Sequence, residues 1–446
     1  MSERHQELAQ EILEVAQQAG SERVTVSLAS TTAFQVEVRE GEVESLRESG
    51  SSGVHLTLSQ GMRRSTLTSN DLRIDSIRPL IRQTLDALEF MGEDDCYVLP
   101  EVGLQGRAAL DLQVRDPAFE QRPPAEKVQD ALDLEARTLR LDERLRSEQA
   151  YYSDALSHVV YADSNGFLDG YRKTLFSTGV SLVVEDPGHA GENVGRKQTD
   201  GWYDSDRFHE RLEDPDILAR QASQRVLRKL GAVKPRSCEV PVVFSAEMAR
   251  SFLGSLAGAM MGESVFRKQS FLAERLQTVI AHSSVSLRDD PLLPGKLGSR
   301  YYDSEGVQAR PLPLIEQGRL EHFMLSTYSA KKLGMQTTGH SGGYSNLILE
   351  PGPYPEEELI ASVPEGLYLT FMSGQGANIV TGDYSRGAQG LWIRNGKLEE
   401  AVSEFTIAST YLEMLRQISM IACEVDDRSS VLSPGFKIDR MSISGT

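Results

Sequence analysis

Four stretches near the start of the chain alternate apolar and polar residues with period two: VTVSLAS (24–30), FQVEVRE (34–40), GVHLTLS (53–59) and RRSTLTS (63–69). A helix would scatter such apolar side chains around its circumference, whereas a strand gathers them on one face. The turns between them, REGE and SQGM, carry glycine, so the segment predicts an antiparallel meander. Helical spacing flanks it. Leu8, Ile12, Leu13, Val15 and Ala16 predict a helix over 3–19, stopped by Gly20. Ile74, Ile77, Leu80, Ile81, Leu85 and Leu88 predict a second helix after Asn70–Asp71.

The same order occurs again, without residue-level similarity that would make it a repeat. Residues 92–124 have little periodicity and read as a linker. Pro123–Pro124 opens a helix near 124–142. Strand-like sequence runs over 148–186 with a turn at DSNG, and a helix near 205–231 closes the module. From CEVPVVFS (238–245) a third region begins. It predicts one helix over 246–262, then short strands with a glycine turn about every ten residues, and a helix near 409–422. The fold class is α+β: N-terminal modules of antiparallel meanders and helices, followed by a mostly antiparallel β-sandwich or barrel-like domain. The expected domains are 1–95, 96–235 and 236–446.

The helix over 246–262 contains SFLGSLAGAMMGES (251–264), with Gly254, Gly258 and Gly262 every four residues. Each glycine costs about 1 kcal/mol against alanine in a helix interior. Such a seam predicts that something approaches the helix closely.

The chain carries 47 Lys+Arg against 65 Asp+Glu, a formal charge of −18. That balance opposes phosphate backbones, and no linear basic patch offsets it. RVLRKLGAVKPR (225–236) mixes its cations with apolar residues at helical spacing and reads as a solvated helix face. No direct nucleic-acid partner is expected. The three cysteines, Cys96, Cys238 and Cys423, are far apart and form no CxxC. The N-terminus is charged throughout and no stretch approaches the roughly 20 apolar residues of a membrane span, so a cytoplasmic protein without a membrane partner is expected.

Motifs for chemistry are sparse. No two of the eight histidines lie three to five residues apart, so no helical face carries a zinc-binding pair. GHSGG (339–343) matches the nucleophile-elbow pattern, but the adjoining YSNLILEPG looks like a strand or loop and no histidine comes after His340. Glycine-turn chemistry is the better reading of Ser341. GQGANI (374–379) lacks the third glycine of a dinucleotide loop. TGDYSRGAQG (381–390) gathers Asp383, Tyr384, Ser385 and Arg386 between glycines. It reads either as a loop that meets a ligand, with Arg386 clamping a carboxylate, or as a tight β-connection.

GESVFRKQSFLAERL, YYDSEGVQARPLPLIEQGRLEHFMLSTYSAKKLGMQTTGHSGGYSNL and GQGANIVTGDYSRGAQGLWIRNGKLEEAVSEFTIAS occur in this order. In these motifs, and over nearly its whole length, the chain resembles the TldD/PmbA family, in its metal-free branch. The resemblance implies a cytosolic, heterodimeric zinc metalloprotease acting on extended or unfolded peptides, including peptide-antibiotic precursors and an antitoxin. In the zinc-bearing sister an HExxxH helix and a late cysteine hold the metal, and the glutamate acts as general base. Here Gly254, Ser255 and Ala259 occupy the positions of the first histidine, the glutamate and the second histidine. Cys423 does not match the cysteine position and is expected to be a small buried residue. The resemblance therefore implies no metal and no catalytic residue in this chain, and a TldD-like zinc-bearing paralogue as partner. His340, Tyr344, Asp383, Tyr384 and Arg386 are the candidates for lining the chamber or interface. Two alternatives remain: a stand-alone homodimeric hydrolase with an unrecognised site, and a regulatory protein acting on DNA gyrase.

Overall fold

The computed structural model describes residues 2–187 and 195–446. His189 lies outside them. The N-terminal half comprises α1 (Ser2–Gln18), β1 (Arg23–Arg39), β2 (Glu42–Gln60), β3 (Arg63–Ser69), α2 (Ile74–Asp86), α3 (Ala118–Gln121), α4 (Pro124–Leu139), β4 (Arg146–Asp163), β5 (Leu168–Glu185), β6 (Lys197–Asp206) and α5 (Pro215–Leu227). Alternation identified the strands but not their length. The segments 24–30 and 34–40 are one strand, and β2 extends through the polar run 42–52, whose main-chain groups pair with β1 although its side chains are mostly exposed. The helix expected over 205–231 is shorter. Residues 197–206 are a strand, and Asp214 caps α5 by accepting from Asp216 N.

The two modules share one antiparallel sheet in the order β3-β2-β1-β4-β5-β6. β1 joins β4 across a register running from Thr25–Asp163 to Val38–Ala150. Even-numbered β1 side chains are buried in two stretches of one face, separated by half-buried Ser30 and exposed Thr32, and each stretch belongs to its own core. Val24, Val26 and Leu28 pack under α1 and α2, and Phe34, Val36 and Val38 pack under α4 and α5. The linker residues Leu112 and Val114 lie in a separate cluster with Tyr161 of β4 and with Tyr301 and Tyr302 of the C-terminal half.

The C-terminal half comprises β7 (Cys238–Phe244), α6 (Ala246–Ala259), α7 (Gly262–Phe266), β8 (Leu287–Asp289), β9 (Leu312–Glu316), β10 (Arg319–Leu320), α8 (Thr327–Leu333), β11 (Leu347–Leu349), α9 (Glu356–Ala361), β12 (Glu365–Ser373), β13 (Asp383–Arg394), β14 (Lys397–Thr410), α10 (Tyr411–Arg416), β15 (Ile418–Asp426) and β16 (Val431–Ser444). β7, β12, β13, β14 and β16 pair in sequence, and β16 pairs back onto β7, so the sheet closes on itself as the barrel-like reading expected. β11, β8, β9 and β10 extend it from β16.

Three expectations fail here. The helix near 409–422 is a single short element, α10, because the chain turns into β15 and pairs with β16. Cys423 therefore stands on a strand, exposed rather than buried, with its amide donating to the Tyr354 carbonyl at 2.8 Å. The helix over 246–262 also divides. Gly262 N donates to Met324 O at 2.8 Å and Met324 N donates to Met260 O at 2.9 Å. That strand-like exchange ends α6 and places Gly262 in α7. No helix among the described residues is long and apolar enough to cross a membrane.

Candidate functional site

α6 follows β7 directly and starts at Ser245, whose hydroxyl accepts from Met248 N. One side of it is core. Phe252 is fully buried, with its ring centroid 5.1 Å from that of Tyr411 and 5.7 Å from those of Tyr384 and Phe436. The other side is made of Ser251, Gly254, Ser255 and Gly258, all half-buried and spaced i, i+3, i+4, i+7. Four small side chains in one row leave a trough along the helix.

Close packing does not account for this trough. A Cβ on Gly254 would lie 3.8 Å from the Tyr344 hydroxyl, and one on Gly258 would lie 3.5 Å from Ile379 Cδ1, both ordinary van der Waals distances. Only Gly262, beyond the helix, meets a true close approach: its Cβ would fall 2.3 Å from Ser329 Oγ. The expected glycine seam is thus one crowded glycine and two that have room.

Three segments overlook the trough. Tyr344 comes from the loop before β11, Ile379 from the loop before β13, and Arg386 from β13, where its Nη1 donates to Ser251 Oγ at 3.2 Å. Ser255 Oγ donates back to Ser251 O at 3.0 Å. Beneath lies Tyr411, whose hydroxyl is pushed up to about 12 by burial and drawn the other way by Ser255. Tyr384 is 1% exposed and donates to Met372 Sδ, so it supports the trough from within the core.

The remaining candidates stand elsewhere. Strand alternation turns Asp383 and Ser385 to the face opposite Tyr384 and Arg386, where Asp383 is exposed and accepts from Thr381 Oγ1 at 2.6 Å. His340 is 1% exposed. Its Nε2 lies 3.1 Å from Asp289 Oδ2 and its Nδ1 lies 2.9 Å from the Thr338 carbonyl, while Asp289 Oδ1 accepts from Ser345 N at 2.7 Å. His340 thus braces the loop that presents Tyr344 rather than lining the trough. Ser341 sits in that loop between positive-φ Gly339 and Gly342, and a strand comes next, so the elbow geometry is absent there. Ser251 and Ile379 were missed from sequence. The i, i+3, i+4, i+7 row of small residues would have found Ser251, whereas nothing local marks Ile379.

A metal does not fit the trough. Glycine, serine and alanine at 254, 255 and 259 offer no imidazole, thiolate or carboxylate, and Ala259 is fully buried. Among the described residues, the one cluster of metal-type donors is Asp94, Asp95 and Cys96. Asp94 there is already engaged by Lys332, by the Tyr328 hydroxyl and by Cys96 N.

Within α6, positions 254, 255 and 259 thus carry no metal-type donor, and its one carboxylate, Glu247, stands in the first turn. The model of the PmbA/TldA metallopeptidase C-terminal domain matches residues 237–445, and that of the central domain matches 117–230. A metalloprotease PmbA homolog of Haemophilus influenzae is 31% identical over 447 residues, covering 99% of this chain and 96% of that one. Metalloprotease PmbA of Escherichia coli O157:H7 is 30% identical, with 95% and 93% covered. A Bacteroides thetaiotaomicron structure, described as a candidate modulator of DNA gyrase, superposes with a TM-score of 0.92 at 27% identity, covering 99% and 98%. TldE of Thermococcus kodakarensis shares the fold at a TM-score of 0.85 and 19% identity, covering 98% and 100%. The chain belongs to the PmbA/TldD metallopeptidase family.

Proposed function

We propose that this chain is the metal-free, non-catalytic subunit of a cytoplasmic TldD/TldE-type heterodimeric zinc metalloprotease. The carrying observation is α6 itself. At the three positions where the resemblance puts histidine, glutamate and histidine it bears Gly254, Ser255 and Ala259, and it turns a row of hydroxyls and glycines outward. The zinc and the general base then come from a TldD-like paralogue, and a TldD homolog of H. influenzae is itself 26% identical to this chain. This subunit closes the proteolytic chamber and helps admit an extended peptide. The trough, with Tyr344 and Arg386 above it, offers hydroxyl and guanidinium groups to a peptide backbone, and the β-rich half has strand edges to which an extended peptide adds.

The test is reconstitution. The purified chain and an HExxxH-bearing paralogue are analysed for zinc and assayed for cleavage of an unfolded peptide, separately and mixed. Zinc is expected only with the paralogue, and full cleavage only with both. Arg386→Ala in the mixed enzyme is expected to lower kcat/KM about tenfold, the scale of one charge-assisted hydrogen bond. Stoichiometric zinc and chelator-sensitive peptidase activity in the single chain would overturn the reading. The description of the B. thetaiotaomicron relative raises a second reading, action on DNA gyrase. Capture of gyrase instead of the HExxxH paralogue from native cells would favour it.

A further inference from the structure

Although the chain is strongly acidic, one open surface cleft of about 730 Å³ is lined by four arginines: Arg107 and Arg115 from the linker, Arg172 from β5, and Arg211 from the segment before α5. The single carboxylate among its lining residues, Asp111, accepts from Gln113 N and so shapes its own turn.

Two of the guanidinium groups are held by stacking on aromatic rings. Arg107 lies 3.6 Å over the Tyr301 ring and Arg211 lies 4.2 Å over the Phe208 ring. Stacking fixes the plane of a guanidinium and leaves its N–H edges free to point at an acceptor. Arg107 pairs with Asp169 and Arg115 with Glu120. Arg172 and Arg211 have no carboxylate within ion-pair distance among the described residues. Gathering like charges is costly unless an anion joins them.

We propose that this cleft is a binding site for a small organic polyanion, a phosphate ester or a polycarboxylate, with Arg172 and Arg211 as its principal contacts. The volume falls in the range of small-molecule sites, roughly 300–1,000 Å³. Planar, donor-rich guanidinium groups suit both oxyanion types, because each presents two acceptor oxygens to one fork. The inference stands apart from the proteolytic reading and does not depend on it.

The experiment is calorimetric titration of the full chain at low salt, with pyrophosphate in one arm and citrate in the other. Saturable one-to-one binding is expected in at least one arm, weakening as sodium chloride is raised. The stronger arm identifies the phosphate or the carboxylate source. R172Q and R211Q are each expected to weaken that binding about tenfold, with folding of each variant checked by circular dichroism because R211Q also loses the stack on Phe208. A second readout needs no variant. Pyrophosphate or citrate should protect Arg172 and Arg211 from phenylglyoxal, read by peptide mass. Absence of saturable heat in both arms, undiminished affinity in both variants, or equal modification with and without anion would each overturn the proposal.

Discussion

The hydroxyl of Tyr344 lies 3.8 Å from the point that a Cβ on Gly254 would occupy. The two residues face each other across a space large enough for a methyl group. Glycine at 254 is thus not demanded by packing, although it weakens the helix. Gly254→Ala is expected to raise stability by about 0.5–1 kcal/mol through helix propensity. Gly262→Ala is expected to lower it by about 1–3 kcal/mol, because its Cβ would collide with Ser329. Urea midpoints of the two variants check this, and equal shifts of the same sign would contradict the assignment of room at one site and crowding at the other.

The buried Asp289–His340 contact holds the loop that carries Tyr344. Asp289→Ala removes the partner of His340 Nε2 and leaves Ser345 N without an acceptor in a buried site. A loss of about 3 kcal/mol is expected. Asp289→Asn keeps one acceptor oxygen for Ser345 N and should lose less. Denaturant unfolding followed by fluorescence measures both, and a neutral alanine variant would show that the contact contributes nothing.

Acid sensitivity should come from the N-terminal sheet. His158 Nδ1 lies 3.1 Å from His5 Nδ1, and burial, then the charges of His5 and Arg172, hold His158 down to about 4. In the unfolded chain a histidine titrates near about 6.5. Between these values the unfolded state binds the extra proton and the folded state does not, so stability falls as pH drops from about 6.5 to about 4 and is insensitive to this group above. His158→Gln should flatten that part of the pH–stability curve. Superimposable curves for the two proteins would refute the attribution.

Much of the local structure was legible in the residues themselves. Period-two alternation located the core-facing parts of β1 to β3, and strand-like sequence marked β4 and β5 but not β6; glycine marked the turns at Gly41, Gly61 and Gly166, all at positive φ. That positions 254, 255 and 259 of α6 carry no metal-type donor is also a plain property of the residues. What failed were lengths and ends. The polar run 42–52 is a strand only because β1 satisfies its backbone, and α10 stops early because β16 captures the residues after it. Such hydrogen bonds come from partners distant in sequence, which propensity does not register.

The sequence by itself determined that the chain builds meanders and a glycine-punctuated β domain, and that the helix after β7 has glycine, serine and alanine at 254, 255 and 259. Tertiary structure alone decided that β1 pairs with β4 to make one sheet of two modules, and that β16 returns to β7 to close the barrel. It turned Arg386 toward Ser251 and Asp383 away, and put His340 behind Tyr344 instead of beside it. It also gathered arginines from three separate segments around one cleft, where a linear scan of charge finds no basic patch. The reason is common to all of these. Periodicity and turn chemistry act over a few residues, whereas pairing, burial and charge clustering depend on which distant segments the folded chain brings into contact.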